Sequence, residues 1–288
     1  MSAVHVTVWD DRDRGGGGRA PTASRAPVTP VTPAAAAAPA LFIHNIFTWG
    51  SDSTYGFAGQ RTLADSRRLL LLDRRGYGDS PDTARSDFDV DAEDVVEVLG
   101  DGASAVGPGG AHLVGHGNGA VAALIAAARR PDLVRSLALI QPSAFTAAAH
   151  HPVVADLLDR VRDGAPGIPD SVTPEQYLRA STEGLGMVMP EPTSRRLRAV
   201  ATSMRERPIW EAEIPLEAIR DAALPILVIC GTWERAPAAY REHVGLPLMA
   251  VAESLTDSLG GRLLRVPGYY PHTQEPAAVN AALREFWG

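Results

Sequence analysis

The feature that most constrains the fold of this chain is a glycine-framed turn between an apolar strand and an apolar helix. Residues 115–119 read G-H-G-N-G, after a strand-like segment at 111–114 and before a helix-like segment at 121–130. Closely spaced glycines relieve the crowding of a sharp strand-to-helix turn, and the pattern G-x-S-x-G uses such a turn to present a serine nucleophile. Here the central residue is Gly117. The sequence therefore predicts the scaffold of a nucleophile without its side chain.

Other segments repeat the pattern of an apolar strand that ends in a polar turn. Their order along the chain resembles that of the α/β-hydrolase superfamily, in its epoxide-hydrolase and haloperoxidase-like branch, from about residue 40 to residue 288. The resemblance depends on His44-Asn45 after strand 41–48, the D-R-R-G-Y-G-D-S turn at 73–80, Glu234 after strand 225–231, and Pro271-His272 before the terminal helix.

The resemblance implies an α/β fold, the α/β-hydrolase fold, with a mostly parallel, doubly wound sheet and a helical cap. The core is predicted to comprise residues 41–142 and 216–288, and the cap residues 143–215. Residues 1–40 contain a glycine run, repeated Val-Thr-Pro and an alanine run. Such composition buries too little side chain to offset the entropy of ordering. We therefore predict a flexible, low-complexity N-terminal arm there.

The resemblance also implies catalytic roles. In the family an acid and then a histidine follow the nucleophile along the chain, which corresponds here to Glu234 and His272. Glu234 would orient the imidazole of His272 and stabilise its protonated form. The backbone N–H groups of Asn118 and Ile46 would form the oxyanion hole. The alternative for His272 is a relic that is hydrogen-bonded to the backbone.

Four residues are predicted to bind substrate. Gly117 opens space at the floor of the pocket, His116 lies beside it, and Trp49 is placed near the entrance. Asn45 lies in the oxyanion loop, where the family usually has glycine. The predicted cap contains several large apolar residues, which favours an apolar or mixed small molecule as the ligand.

A base and a polarised carbonyl without an attacking side chain suit proton abstraction beside that carbonyl. The leading hypothesis is a cofactor-free lyase, cyclase or isomerase acting on a carbonyl- or ester-containing molecule. Resemblance to family members in secondary metabolism suggests antibiotic biosynthesis, for example a polyketide-derived lactone that loses a carboxylic acid. Three alternatives are an ester hydrolase in which His272 activates water, a non-catalytic binding protein with this fold, and a recent or introduced change at Gly117.

Composition narrows the class of protein further. A net charge of −7 argues against nucleic acid as the main partner, because phosphate backbones are held mainly by basic side chains. The single cysteine, Cys230, cannot form an internal disulfide, and the residues suggest no metal site. No segment resembles a signal peptide or a membrane span. We therefore expect a cytoplasmic protein that does not bind membranes, and the sequence leaves a homodimer open.

Overall fold

A computed structural model describes residues 4–10, 37–100, 106, 109–164 and 167–288. Most of the predicted arm, residues 11–36, lies outside the described residues.

A seven-stranded sheet forms the centre of the protein, in the order β1-β3-β2-β4-β5-β6-β7. Every neighbouring pair is parallel except β1 with β3. Three strands, β2 (Ala40–Ile43), β3 (Leu69–Leu72) and β6 (Ile226–Gly231), are apolar and buried at every position, as expected for strands whose two faces are both covered. The strands are β1 (Val6–Trp9), β2 (Ala40–Ile43), β3 (Leu69–Leu72), β4 (Ala111–His116), β5 (Val134–Ile140), β6 (Ile226–Gly231) and β7 (Arg262–Val266).

The prediction of a flexible arm over residues 1–40 is wrong for Val6–Trp9, which form strand β1. Val6–Trp9 pairs antiparallel with Leu69–Leu72. The side chain of Trp9 is buried in the core, and the guanidinium of Arg61 lies 5.0 Å from its ring. One buried tryptophan and a row of ladder hydrogen bonds are enough to order this short segment.

Helices cover both faces of the sheet. Helix α2 is buried along nearly its whole length, because alanine and glycine let it approach the sheet closely. The helices are α1 (Phe88–Gly100), α2 (Asn118–Arg129), α3 (Pro152–Gly164), α4 (Pro174–Thr182), α5 (Ser194–Ser203), α6 (Leu216–Asp221), α7 (Ala238–Tyr240), α8 (Leu246–Leu259), α9 (Pro271–Gln274) and α10 (Pro276–Trp287).

Helices α3, α4 and α5 lie between β5 and β6, within the residues for which a cap is predicted. Helix α5 is fixed to the core by a bidentate ion pair, in which Arg196 donates to Asp52 at 2.7 and 2.8 Å. Burial raises the pKa of Asp52, but hydrogen bonds and charge from Arg196 outweigh it, and the net pKa lies below its usual value. Breaking a buried pair like this one leaves an uncompensated charge, so α5 is held firmly over the sheet. The exact cap boundaries, 143–215, stay a prediction.

The parallel strands place their polar ends together. His44 follows β2, His116 ends β4, and Gln141 follows β5. Because neighbouring parallel strands share their carboxyl edge, these side chains lie side by side there, where open α/β sheets bind ligands.

Candidate active site

The turn at Gly117 has the strained geometry of a nucleophile elbow. Its φ is 56° and its ψ is −117°, a conformation that side chains rarely adopt. A Cβ at this position would lie 2.2 Å from Cγ of Asn45. The space that a serine would need is therefore filled by the Asn45 side chain.

Asn45 also accepts the hydrogen bond of one of the two predicted oxyanion-hole donors. The backbone N–H of Asn118 donates to Oδ1 of Asn45 at 3.0 Å. Both residues line the cavity described below, as does Ile46. Among the described residues, Nδ2 of Asn45 has no hydrogen-bond acceptor. The carboxamide is thus anchored at its oxygen, and its N–H donors are left for another acceptor.

His272 does not have the predicted environment. It lies in α9, is fully buried, and its Nε2 is 3.1 Å from the carbonyl oxygen of Tyr55, while Nδ1 is buried without a partner. Burial lowers its pKa to about 4. Pro271 at the first turn of α9 favours a helix where a loop was expected, and that turn directs the imidazole inward.

The predicted hydrogen bond between Glu234 and His272 is absent. The Glu234 side chain is 48% exposed, and its Oε1 accepts a hydrogen bond from the backbone N–H of Gly268 at 3.4 Å. Neither Glu234 nor His272 lines the cavity. The prediction of a His272–Glu234 dyad is therefore wrong in this structure, and His272 matches the alternative of a backbone-bonded relic.

Two histidines among the described residues line the cavity, the exposed His243 and the buried His116 beside the elbow. The ring centroid of His116 lies 4.3 Å from that of His272, and its Nδ1 is buried without a partner. Its Nε2 also has no partner among the described residues but, unlike Nδ1, is not fully enclosed, so Nε2 is the nitrogen open to the cavity. Burial lowers the pKa of His116 well below its usual value, and the charges of His272 and His44 lower it further. The ring is therefore a neutral proton acceptor at pH 7.

The cavity beside these residues has a volume of about 860 Å³, which suits a drug-sized small molecule. Of the eight residues predicted for the site, Asn45, Ile46, His116 and Asn118 line it. Trp49 does not, because its ring lies against the guanidinium groups of Arg195 and Arg196, at 4.6 and 4.9 Å. Gly117 has no side chain to reach past Asn45.

Gln141 is a cavity residue that the sequence reasoning missed. It is 3% exposed, has a positive φ of 44°, and its buried Oε1 has no partner. Unsatisfied buried polar atoms are rare in folded proteins, and strained backbone often occurs at functional sites. A polar residue directly after the apolar strand β5 was the available signal.

A buried charge cluster surrounds Glu206, which lines the cavity, and the sequence reasoning missed Glu206 and Arg74. Glu206, which follows α5, accepts hydrogen bonds from Arg74, from Tyr77 Oη at 2.9 Å and from Asn118 Nδ2 at 3.2 Å. Arg74 also donates to Asp91 at 2.7 Å. Burial raises the pKa of Asp91 to about 6, against the opposing charge of Arg74. The D-R turn after β3 was the signal for Arg74, but nothing local connects it with Glu206.

Tyrosines form a further part of the cavity wall. Tyr55, Tyr240 and Tyr270 all line the cavity, and the hydroxyl groups of Tyr240 and Tyr270 are 2.7 Å apart. Burial raises the pKa of Tyr240 to about 12 and that of Tyr270 well above its usual value. Both phenols therefore stay protonated. Only one of the two O–H groups donates within the pair, and the other does not.

A possible metal-ligand cluster lies away from this cavity. His5, Asp73 and Asp79 offer ligand atoms within 4.8 Å of one another. Asp73 already accepts from the backbone N–H groups of Gly50 and Asp79, at 2.8 and 2.9 Å. Arg195 lies 2.8 Å from the Asp79 carboxylate. These donors already satisfy the negative charge that a cation would need.

The fold and the elbow define the class of this protein. A model of the alpha/beta hydrolase fold family matches residues 39–199, more than half of the chain. The protein belongs to the α/β-hydrolase superfamily. No helix in the described part of the chain is long and apolar enough to cross a bilayer.

Two curated relatives of the chain are lipases. The chain is 28% identical to the sn-1-specific diacylglycerol lipase ABHD11 of Danio rerio over 141 residues, which is 48% of this chain and 43% of the relative. The chain thus spans less than half the length of that curated relative. The corresponding Mus musculus lipase is also 28% identical, over 157 residues, 53% of this chain and 48% of the relative.

Solved structures share the fold at low identity. A thermophilic esterase from Thermogutta terrifontis matches with a TM-score of 0.59 at 18% identity, covering 98% of this chain and 92% of the other. The enol-lactonase of Burkholderia xenovorans LB400 matches with a TM-score of 0.58 at 17% identity, covering 98% and 95%. At these identities the two structures show that the chain shares their fold.

Proposed function

We propose that the protein hydrolyses an ester bond in a small, largely apolar molecule, with an activated water in place of a serine nucleophile. One observation carries the proposal: His116 and Gln141, from the ends of adjacent strands, line one cavity, and Nε2 of His116 has no hydrogen-bond partner among the described residues. A water between these two side chains would bond to both, and buried waters typically make two to four hydrogen bonds.

His116 replaces His272 as the base in this proposal. Its Nε2 faces the cavity, and its neutral form can accept a proton from water at pH 7. The carboxamide of Gln141 would form a hydrogen bond with the same water and so fix its orientation. General bases of this kind contribute roughly 10²- to 10⁴-fold in rate.

Asn45 supplies the oxyanion donor. Its Oδ1 is held by the Asn118 N–H, which orients the carboxamide and polarises its Nδ2–H groups. Asparagine side chains serve as oxyanion donors in hydrolases, where the loss of one donor costs about 2.7 to 4 kcal/mol.

The reaction balances without a covalent enzyme intermediate. His116 takes a proton from water as the water oxygen bonds to the carbonyl carbon, and Asn45 stabilises the resulting oxyanion. The tetrahedral species then collapses and breaks its bond to the leaving oxygen, which receives the proton from His116. The products are a carboxylic acid and an alcohol.

Hydrolysis of p-nitrophenyl butyrate in heavy-oxygen water tests the proposal. We expect labelled butyrate, no acyl adduct on the intact protein by mass spectrometry, and loss of turnover in His116→Gln. The matched control is His150→Gln, at an exposed histidine outside the cavity. The variant Asn45→Ala should reduce the rate by roughly 10²-fold.

Four results would contradict it. A faster Asn45→Ala enzyme would mean that Asn45 blocks the hole instead of completing it. Normal turnover in His116→Gln would remove the proposed base. Formation of an elimination product without the heavy-oxygen label would favour the lyase hypothesis. The absence of any turnover would favour a non-catalytic binding protein.

A further inference from the structure

Two arginines at the rim of the cavity form no ion pair with any other residue that the structure describes. Arg85 and Arg205 both line it and are both exposed. Their segments are neighbours, because the backbone N–H of Arg207 donates to the carbonyl oxygen of Ser86 at 2.8 Å. The two guanidinium groups thus belong to neighbouring segments on one side of the cavity opening.

The other charged groups of the cavity wall are already neutralised. Arg207 is shared among Asp87, Asp89 and Glu211, at 3.5, 3.1 and 3.2 Å. Glu206, the one acid among the described lining residues, is paired with Arg74. Neither Arg85 nor Arg205 forms a salt bridge with any described residue. Three arginines and one acid thus line the cavity, and two of the arginines are left to meet an anion, in a protein whose net charge is −7.

We infer that Arg85 and Arg205 bind an anionic headgroup on a ligand whose apolar body fills the cavity. Guanidinium groups match the oxygens of carboxylates and phosphates in charge and geometry. The inner wall supplies surfaces for an acyl chain or an aromatic ring. These surfaces include Phe47, Tyr177, Tyr55, Tyr270, Phe145 and Trp210. This inference builds on the proposed function, since it makes the substrate an amphipathic anion.

Binding of two matched dyes tests the inference without turnover. The probes are 8-anilinonaphthalene-1-sulfonate and N-phenyl-1-naphthylamine, which share an aromatic body, but only the first is an anion. Their dissociation constants are measured by fluorescence titration for the wild type, Arg85→Gln, Arg205→Gln and the double variant. The matched control is Arg220→Gln, an exposed arginine on α6 that is outside the cavity and has no salt bridge among the described residues.

We expect the double variant to bind the sulfonate dye roughly 2- to 30-fold more weakly, as two exposed ion pairs predict, and the neutral dye as before. Added salt should weaken sulfonate binding in the wild type but not in the double variant. Competition with dodecanoate and with dodecyl phosphate then identifies the headgroup as carboxylate, phosphate or either.

Equal losses for both dyes, the same loss in Arg220→Gln, or no displacement by either amphiphile would overturn the inference. Each of these results leaves the hydrolase proposal intact. A protein that fails to hydrolyse esters but retains the charge-dependent difference between the dyes would refute the proposed function alone.

Discussion

Restoring serine at position 117 is expected to fail unless Asn45 is shortened as well. A Cβ at Gly117 would lie 2.2, 2.3 and 2.4 Å from Cγ, Oδ1 and Nδ2 of Asn45. The three atoms belong to one planar group that is held by the Asn118 N–H. Gly117→Ser must therefore displace the whole carboxamide and break that hydrogen bond.

The cost has two separable parts. A non-glycine residue at φ 56° carries backbone strain of about 1 to 3 kcal/mol. Leaving the Asn118 N–H without an acceptor costs about 1 to 3 kcal/mol more. In an Asn45→Ala background the second part is already lost, so Gly117→Ser should cost only the strain. The double-mutant cycle should therefore show a coupling of about 1 to 3 kcal/mol.

Urea unfolding of the wild type, both single variants and the double variant measures this coupling. The same proteins are then tested for an acyl adduct with p-nitrophenyl butyrate. If the effects of the two substitutions on the free energy of unfolding are strictly additive, Asn45 does not compete with a serine side chain at position 117. Fast, covalent ester cleavage by Gly117→Ser alone would likewise refute the argument, and it would support the view that position 117 is a recent or introduced change.

Three further predictions concern pH and stability. The folded-state pKa of His272, about 4, lies below its unfolded value. The neutral ring therefore contributes to the free energy of unfolding above pH 6.5, and this contribution falls by about 3 kcal/mol as the pH drops to 4. In His272→Phe, the urea midpoint should decline less steeply across this pH range. The raised pKa of Asp91, about 6, has the opposite effect, because the free energy of unfolding falls by about 3 kcal/mol as the pH rises from 4 to 6 and this carboxyl ionises. Asp91→Asn should therefore make the free energy of unfolding rise more steeply with pH. An unchanged slope in either variant contradicts these assignments. Tyr240→Phe and Tyr270→Phe should show a coupling of about 1 kcal/mol in unfolding experiments, and additivity would mean that the hydroxyl pair is not formed in solution.

The sequence predicted most of the scaffold because its signals are local. Apolar runs bounded by turn residues located strands β2 to β6, and the glycine pentad located the turn at Gly117. Helices α3, α4 and α5 lie within residues 143–215, the range for which the resemblance implied a cap. Strand β1 was missed because it is four residues long and borders a low-complexity stretch.

The candidate site was harder to predict because it depends on contacts between distant segments. Glu206 meets Arg74 across 132 positions of sequence, and Asn45 fills the space above Gly117 from 72 positions away. A motif identifies a backbone position but not the direction of a side chain, which explains why His272 was assigned to the pocket. Membership of the epoxide-hydrolase and haloperoxidase-like branch and a role in biosynthesis stay predictions.

The departures from a serine hydrolase support one another. Gly117 removes the nucleophile, Asn45 fills its place, His272 is bonded to the backbone, and Glu234 faces solvent. A single recent lesion at position 117 would leave the other three in their catalytic geometry, since nothing would have selected their change. Changes at several positions instead favour the proposed site, which uses a different set of groups. His116 and Gln141 fit that proposal because both line the cavity, whereas His272 and Glu234 do not.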